Sequence, residues 1–152
     1  MSPVRILVVE DFEPFRRFIR SSLEARPEWQ IICEVSDGLE AVQKARELQP
    51  DLILLDIGIP TLNGIEVARQ MQNLAPNIKI LFLSENRLAD VVTAALSTGA
   101  NGYLLKSGAG GHLLPAIETI LKGKRFLDAR LSGQVFREAN ESFLETNPGP
   151  EE

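Results

Sequence analysis

Short apolar runs alternate along the chain with segments in which apolar residues recur every three or four positions. Most of the runs are continuous, which is typical of strands covered by helices on both faces. The runs that predict strands are Val4–Val9, Trp29–Val35, Leu52–Leu55, 78–83 and Gly102–Leu105. The segments that predict helices are 12–25, Gly38–Leu48, Gly64–Leu74, 88–99 and 112–122. Gly99 and Gly123 fit the positions that follow the ends of two of these helices.

Five strands alternating with five helices predict the α/β class. The expected architecture is an open, doubly wound, five-stranded parallel sheet with five flanking helices. Ligands bind to such sheets at the carboxyl ends of the strands, near the point where the strand order reverses. Functional side chains should therefore lie just after the apolar runs.

Polar side chains do follow four of the five runs. Glu10 and Asp11 follow the first, Asp56 the third and Ser84 the fourth, and the fifth leads into Lys106. Because the strands are parallel, we expect these side chains to meet at one edge of the sheet. Three carboxylates would crowd there against one ammonium group and one hydroxyl.

Carboxylates packed this closely repel one another unless a positive charge lies among them. Mg²⁺ suits the site, since it prefers a few carboxylates, several waters and a phosphate. Glu10, Asp11 and Asp56 are its expected ligands, and the backbone carbonyl of Gly58 is a fourth candidate. An aspartate can accept a phosphoryl group, and that transfer needs mainly positioning and charge neutralisation.

Each of these residues also has a simpler interpretation. Asp11 could cap the following helix, and Glu10 could be an ordinary loop acid. Asp56 could be a turn residue, Lys106 a solvated loop lysine and Ser84 a capping hydroxyl. These interpretations would all have to coincide at one sheet edge, so we favour the phosphoryl site.

The motifs resemble those of bacterial response-regulator receiver domains. The resemblance is carried by Ile6-Leu7-Val8-Val9-Glu10-Asp11, by Asp51-Leu52-Ile53-Leu54-Leu55-Asp56, by Pro60, Gly64 and Glu66, and by Gly99-Ala100-Asn101-Gly102-Tyr103-Leu104-Leu105-Lys106-Ser107. It runs from about residue 4 to residue 126, and the Tyr-Leu-Leu-Lys-Ser stretch is most similar to receivers of the LuxR type, which usually carry a helix-turn-helix output domain.

The resemblance implies a flavodoxin-like fold and a function in two-component signal transduction. Asp56 would accept the phosphoryl group, Glu10 and Asp11 would hold Mg²⁺, and Lys106 would contact the phosphoryl group. Ser84 and Tyr103 match the hydroxyl and aromatic residues of the family's conformational switch. The implied phosphodonor is a sensor histidine kinase or a phosphotransfer protein, and the chain would catalyse only its own phosphorylation and dephosphorylation.

Three features depart from the family's pattern. Ile59 stands before Pro60 where methionine is frequent, which is a conservative change. Glu85 follows Ser84 where a small or apolar residue is usual, and it adds an acid near the phosphoryl site. After residue 126 too few residues follow for a helix-turn-helix domain, so we expect a receiver domain at 1–126 and a C-terminal extension and tail at 127–152.

Three rival functions can be compared with the same residues. A haloacid-dehalogenase-type enzyme needs a second aspartate two positions after its nucleophile, where this chain has Gly58. A nucleotide-binding α/β domain needs a glycine-rich turn after the first strand, where this chain has Glu10 and Asp11. A receiver that dimerises without phosphorylation is disfavoured because every acceptor-site residue is present.

The net charge of −5 argues against DNA binding by this chain, since phosphate contacts need clustered Lys and Arg. The first residues do not resemble a signal peptide, and no apolar run reaches membrane-spanning length, so we expect a cytoplasmic protein without a membrane partner. Cys33 is the only cysteine, which excludes an internal disulfide.

The segment 128–145 predicts a helix with an apolar stripe. The stripe consists of Leu131, Val135, Ala139 and Phe143, with Phe136 and Leu144 beside it, and Asp128 could cap the start. Such a helix could fold back on its own domain, or dock on a partner or on a second copy in a homodimer. The pattern does not decide between these alternatives.

Overall fold

A computed structural model of the chain describes residues 2–131. The strands are β1 (Val4–Val9), β2 (Trp29–Val35), β3 (Leu52–Leu55), β4 (Lys79–Ser84), β5 (Gly102–Leu105) and β6 (Phe126–Leu127). The helices are α1 (Glu13–Leu23), α2 (Gly38–Leu48), α3 (Gly64–Leu74), α4 (Ala89–Leu96) and α5 (Ala109–Leu121), and a 3₁₀ turn, Lys106–Gly108, precedes α5. The predicted α/β class and parallel sheet are confirmed.

The strand order β2-β1-β3-β4-β5-β6 places the reversal point between β1 and β3. β1 pairs in parallel with both β2 and β3, and Val9 lies opposite Leu55 at the ends of their strands. The residues that follow these two strands, Glu10 and Asp56, are therefore neighbours. This is where a doubly wound sheet opens a crevice at its carboxyl edge.

Alternate residues of each strand point to opposite faces of the sheet, and two helix layers cover them. One layer consists of α1 and α5, whose apolar faces contribute Ile19, Leu23, Leu113, Ala116, Ile117 and Ile120. The other consists of α2, α3 and α4, with Ala41, Ala45, Val67, Met71, Val92 and Ala95. Because both faces are covered, all residues of β3 and β5 are buried, as their continuous apolar runs predict.

Local side-chain and backbone chemistry accounts for several helix ends. Asp37 accepts the amide hydrogen of Glu40 at the start of α2, and Asn63 accepts that of Glu66 at the start of α3. Gly99 and Gly123 have φ of +93° and +88°, which confirms that they follow helix ends. Between residues 2 and 131, no helix is both long and apolar enough to cross a membrane.

The structure differs from the sequence-based expectation in five places. β4 occupies 79–84 rather than 78–83, α1 is shorter than 12–25, and α4 is shorter than 88–99. α5 begins at Ala109 rather than His112, because the 3₁₀ turn leads directly into it and two poor helix formers, Gly110 and Gly111, are carried in its first turn. The sheet has six strands rather than five, since the two-residue β6 pairs in parallel with β5.

Only the first residues of the predicted C-terminal helix belong to the described part of the chain. Asp128 is 3% exposed and Leu131 is 5% exposed, so both pack on the domain. The remaining stripe residues, from Val135 to Leu144, lie outside the described residues. The division of the chain at residue 126 and the role of the stripe stay predictions.

Candidate phosphoryl and metal site

Asp56 directly follows β3, and its side chain lies at the carboxyl edge of the sheet. The residue is 8% exposed, so its carboxylate is accessible from one side only. The amide of Gly58 donates a hydrogen bond to Asp56 Oδ1 at 3.3 Å, and Lys106 Nζ donates to Oδ2 at 3.2 Å. Both carboxylate oxygens are therefore oriented by neighbouring donors.

Lys106 follows β5 and reaches across β4 and β3 to the carboxylates. Its Nζ lies 2.8 Å from Glu10 Oε1 and 4.7 Å from the centre of the Phe15 ring. Burial works to lower the pKa of Lys106, but the charges of Glu10 and Asp56 and their hydrogen bonds outweigh it, so the pKa is raised. The lysine is thus held fully charged beside Asp56, as the sequence predicts, rather than solvated in a loop.

Glu10 and Asp11 follow β1 and complete the acidic cluster. Glu10 is 1% exposed, and its Oε2 accepts the amide hydrogen of Phe12 at 3.0 Å. Burial raises the pKa of Glu10 and the charge of Asp56 adds to the rise, while Lys106 opposes both. Asp11 is exposed. It does not cap α1, whose N-cap is Phe12 without a side-chain hydrogen bond.

The three carboxylates fit a divalent cation. Glu10, Asp11 and Asp56 each offer one ligand oxygen, and these atoms lie within 4.8 Å of one another. Two of the carboxylates are buried and one is exposed, which leaves an open side for waters and a phosphate, as Mg²⁺ prefers. Gly58 lies beside Asp56 through its amide hydrogen bond, and the use of its carbonyl as a ligand stays a prediction.

Ser84 and Tyr103 meet at Asn86, a residue that the sequence motifs do not single out. The amide of Asn86 donates to Ser84 Oγ at 3.0 Å, and the Tyr103 hydroxyl donates to the Asn86 carbonyl at 2.7 Å. Tyr103 is fully buried and packs beside Phe82, with their ring centres 6.1 Å apart. The pKa of the Tyr103 hydroxyl is raised, mainly by burial and further by the charge of Asp56, while its interaction with the Ser84 side chain works to lower it.

The loop after Asp56 is packed too closely for larger side chains. A Cβ at Gly64, the first residue of α3, would lie 2.2 Å from the backbone carbonyl oxygen of Asp56. The amide of Gly64 also donates to the Ile57 carbonyl at 2.9 Å. Glycine at this position therefore lets the start of α3 lie directly against the backbone of Asp56.

Two further interactions near the site were not predicted from the sequence. Glu85, expected to add negative charge at the rim, is exposed. The hydrogen bond with Asp128 is the main cause of the raised pKa of Arg130, and the charge of Glu85 adds to the rise. Phe15 lies under Lys106, an arrangement whose only sequence signal is its place on the inner side of α1.

Comparison with known proteins agrees with these features. The family model described as the response regulator receiver domain matches residues 6–118. The transcriptional regulatory protein LiaR of Bacillus subtilis strain 168 is 35% identical over 132 residues, covering 87% of this chain and 63% of LiaR. The transcriptional regulatory protein LnrK of the same strain is 33% identical over 135 residues, covering 89% of this chain and 61% of LnrK.

A solved structure gives the same result. The crystal structure of a LuxR-family two-component response regulator from Aurantimonas sp. SI85-9A1 is 31% identical, with a TM-score of 0.79, and the match covers 94% of this chain and 99% of that one. This chain spans about three fifths of the length of curated relatives such as LnrK and LiaR. The strand order and the site at the carboxyl edge of the sheet are consistent with these matches. The chain therefore belongs to the response regulator receiver domain family of two-component signal transduction, with relatives in the LuxR family.

Proposed function

We propose that this chain is a phosphorylation-driven signalling switch in which Asp56 accepts a phosphoryl group from a sensor histidine kinase or a phosphotransfer protein. The observation that carries the proposal is the position of Asp56, which lies with Lys106 and the acidic pair Glu10 and Asp11 at the reversal point of the sheet. The family match supports the same role.

In the proposed transfer, a carboxylate oxygen of Asp56 forms a bond to phosphorus. The bond from phosphorus to the donor's imidazole nitrogen breaks, and the electron pair leaves with that nitrogen. Lys106 moves from the Asp56 carboxylate to a phosphoryl oxygen, where it neutralises charge. The Gly58 amide, which donates to Asp56 in this structure, would hold the remaining carboxylate oxygen.

Glu10, Asp11 and Asp56 would hold Mg²⁺, with the carbonyl of Gly58 as a further ligand. When bound, the metal supplies positive charge to the phosphoryl oxygens. Glu10 pairs with Lys106 in this structure, so a metal ion would compete with the lysine for the oxygens of this buried carboxylate. No substrate other than the phosphodonor is proposed, and the chain would catalyse only its own phosphorylation and dephosphorylation.

Ser84 and Tyr103 are proposed to carry the change outward. A phosphoryl group on Asp56 would give the Ser84 hydroxyl a charged acceptor, a stronger partner than a neutral one. Ser84 and Tyr103 both contact Asn86, so a shift of Ser84 would reach the tyrosine through the backbone of the β4–α4 loop. Tyr103 is already buried here, so the proposed signal biases an existing conformation rather than requiring a large rotation.

We propose that the output passes through protein contacts and not through DNA binding by these residues. The net charge of −5 is unfavourable for phosphate backbones. The predicted stripe in 128–145 offers a docking surface for a partner or a second copy, or packs on its own domain.

The test is mass spectrometry after treatment with acetyl phosphate and Mg²⁺. The wild-type protein should gain one phosphoryl group, and Asp56→Asn should gain none. Asp51→Asn is the matched control, because Asp51 lies at the opposite end of β3 and accepts the amide hydrogen of Arg5 at 2.8 Å. Stoichiometric labelling of Asp56→Asn at another residue would refute the assignment.

A further inference from the structure

A buried aspartate, Asp128, terminates the pairing of β5. Its Oδ2 accepts the amide hydrogen of Leu105 at 2.9 Å, immediately after the two-residue strand β6 has ended. The carboxylate therefore takes the hydrogen bond that the next residue of a longer strand would have taken. Leu105 is the last residue of β5, and the next residue is Lys106.

Arg130 closes the arrangement from the other side. Its Nε donates to Asp128 Oδ1 at 2.9 Å, and a second nitrogen of the guanidinium pairs with Asp128 Oδ2. The same group reaches the Leu105 carbonyl and the Ser107 hydroxyl, each at 3.4 Å. Asp128 and Arg130 thus bind the residues on both sides of Lys106, namely Leu105 and Ser107. We call this pair of residues the Asp128–Arg130 clasp.

The guanidinium also lies directly against Gly108, the last residue of the 3₁₀ turn that begins at Lys106. A Cβ at Gly108 would lie 2.1 Å from three guanidinium atoms of Arg130. Any larger residue at this position must displace the arginine. Arg130 can move because it is the end of a flexible, partly exposed side chain, with a relative side-chain exposure of 35%.

We infer that Asp128 and Arg130 are positioning residues for Lys106, which hold the end of β5 and the following turn so that the Lys106 ammonium group reaches the phosphoryl site. This role rests on the proposed function of Asp56. Lys106 stands at the first position of an irregular turn, where the sheet no longer fixes the backbone. A group that stabilises a transferring phosphoryl must be held close to its working position, because small displacements are costly to the rate.

The ionisation of Asp128 agrees with this role. Burial works to raise the pKa of Asp128, but the hydrogen bonds from Arg130 and from the Leu105 amide outweigh it, so the pKa is lowered and the clasp is charged at neutral pH. Leu131, which follows Arg130, is buried in the same apolar cluster as Tyr103 and Leu105. The clasp is therefore anchored in the core as well as by charge.

The experiment measures the rate of Asp56 labelling by acetyl phosphate at saturating Mg²⁺, together with the melting temperature, for Gly108→Ala, Arg130→Ala, Asp128→Ala and Asp128→Asn. Gly108→Ala is the most informative variant, because its Cβ displaces the guanidinium while Asp128 and Arg130 themselves are not substituted. We expect about a tenfold fall in its maximal labelling rate, with little change in melting temperature. Asp128→Asn should label faster than Asp128→Ala, since the amide oxygen still accepts the Leu105 hydrogen.

Two controls separate positioning from general stability. Arg26→Ala removes the arginine that pairs with Glu118 on α5, away from the site, and it should leave the labelling rate unchanged. In a Lys106→Ala background, Gly108→Ala should have no further effect on the rate, because the clasp acts through the lysine.

The outcomes are distinguishable. A labelled wild type together with wild-type rates in Gly108→Ala and Arg130→Ala would overturn the positioning role and leave the proposed function intact. An equal effect of Gly108→Ala with and without Lys106 would also overturn it. A wild-type protein that is not labelled on Asp56 would refute the proposed function, and the positioning role with it.

Discussion

The ammonium group of Lys106 lies 2.8 Å from Glu10 Oε1, so the lysine neutralises a buried acid as well as Asp56. The side chains of Glu10 and Lys106 are 2% and 12% exposed. A lysine that serves two carboxylates in this way competes with any metal ion for the same oxygens. The balance of charge at the sheet edge therefore bears on the stability of the fold, and it would also set the affinity of the proposed Mg²⁺ site.

Removing that charge should destabilise the protein. We expect Lys106→Ala to lower the free energy of unfolding by about 2–3 kcal/mol, since it leaves buried carboxylates without a cation. Mg²⁺ should restore more stability to this variant than to the wild type, because the metal no longer competes with the lysine. Urea unfolding with and without Mg²⁺ measures both effects.

Lys44→Ala is the control for this variant, because Lys44 pairs with Glu47 on the surface of α2. Its removal should change stability little. An equal response of the two variants to Mg²⁺ would contradict the competition.

Asp11 should determine the response to Mg²⁺ without contributing to the metal-free fold. Asp11→Ala should abolish the Mg²⁺-dependent rise in melting temperature, because Asp11 is exposed and its proposed role is that of a metal ligand. In the wild type the metal should add about 2.7 kcal/mol at a concentration of about 100 times Kd. Glu24→Ala, which removes an exposed acid at the end of α1, should respond like the wild type. An undiminished rise in Asp11→Ala would place the metal elsewhere.

A methyl group at Gly64 should disturb Asp56, the proposed phosphoacceptor. We expect Gly64→Ala to lower the free energy of unfolding by about 1–3 kcal/mol, because its Cβ would overlap the Asp56 carbonyl and the backbone must shift. The same shift should slow labelling of Asp56 by acetyl phosphate.

Gly110→Ala is the matched control for Gly64→Ala. A Cβ there meets nothing within 4 Å, and the residue lies in α5. We expect this variant to gain up to about 1 kcal/mol of stability, because alanine is the better helix former. A destabilisation equal to that of Gly64→Ala would contradict the steric explanation.

The buried Asp128 should make stability dependent on pH. Its folded pKa lies below its ordinary value of 3.8, so the ionised carboxylate stabilises the fold above that value and this contribution is lost as the pH falls through the lower folded pKa. We expect Asp128→Asn to be less stable than the wild type by about 2 kcal/mol at neutral pH, and the difference to shrink in acid. Denaturant unfolding across this range measures it, and a difference that does not vary with pH would contradict the prediction.

The sequence alone was enough to predict the class of fold and which side chains meet at the carboxyl edge of the sheet. The predicted runs match the bounds of β1, β2, β3 and β5. In β3 and β5 every residue is buried, because helices cover both faces of these strands. The acidic residues could be assigned to one edge because parallel strands bring their carboxyl ends together. The resemblance to the family's motifs supplied the proposed roles of Asp56 and Lys106.

Only the tertiary structure showed how these residues are held. The two residues of β6 are too few to show a strand pattern in the sequence. They form a strand because they pair with the open edge of β5. Asn86 between Ser84 and Tyr103, Phe15 beneath Lys106, and the Asp128–Arg130 clasp all join residues far apart in the chain. Local patterns report the propensity and burial of a segment, whereas such contacts depend on where the finished fold places two distant side chains, and so the sequence could not reveal them.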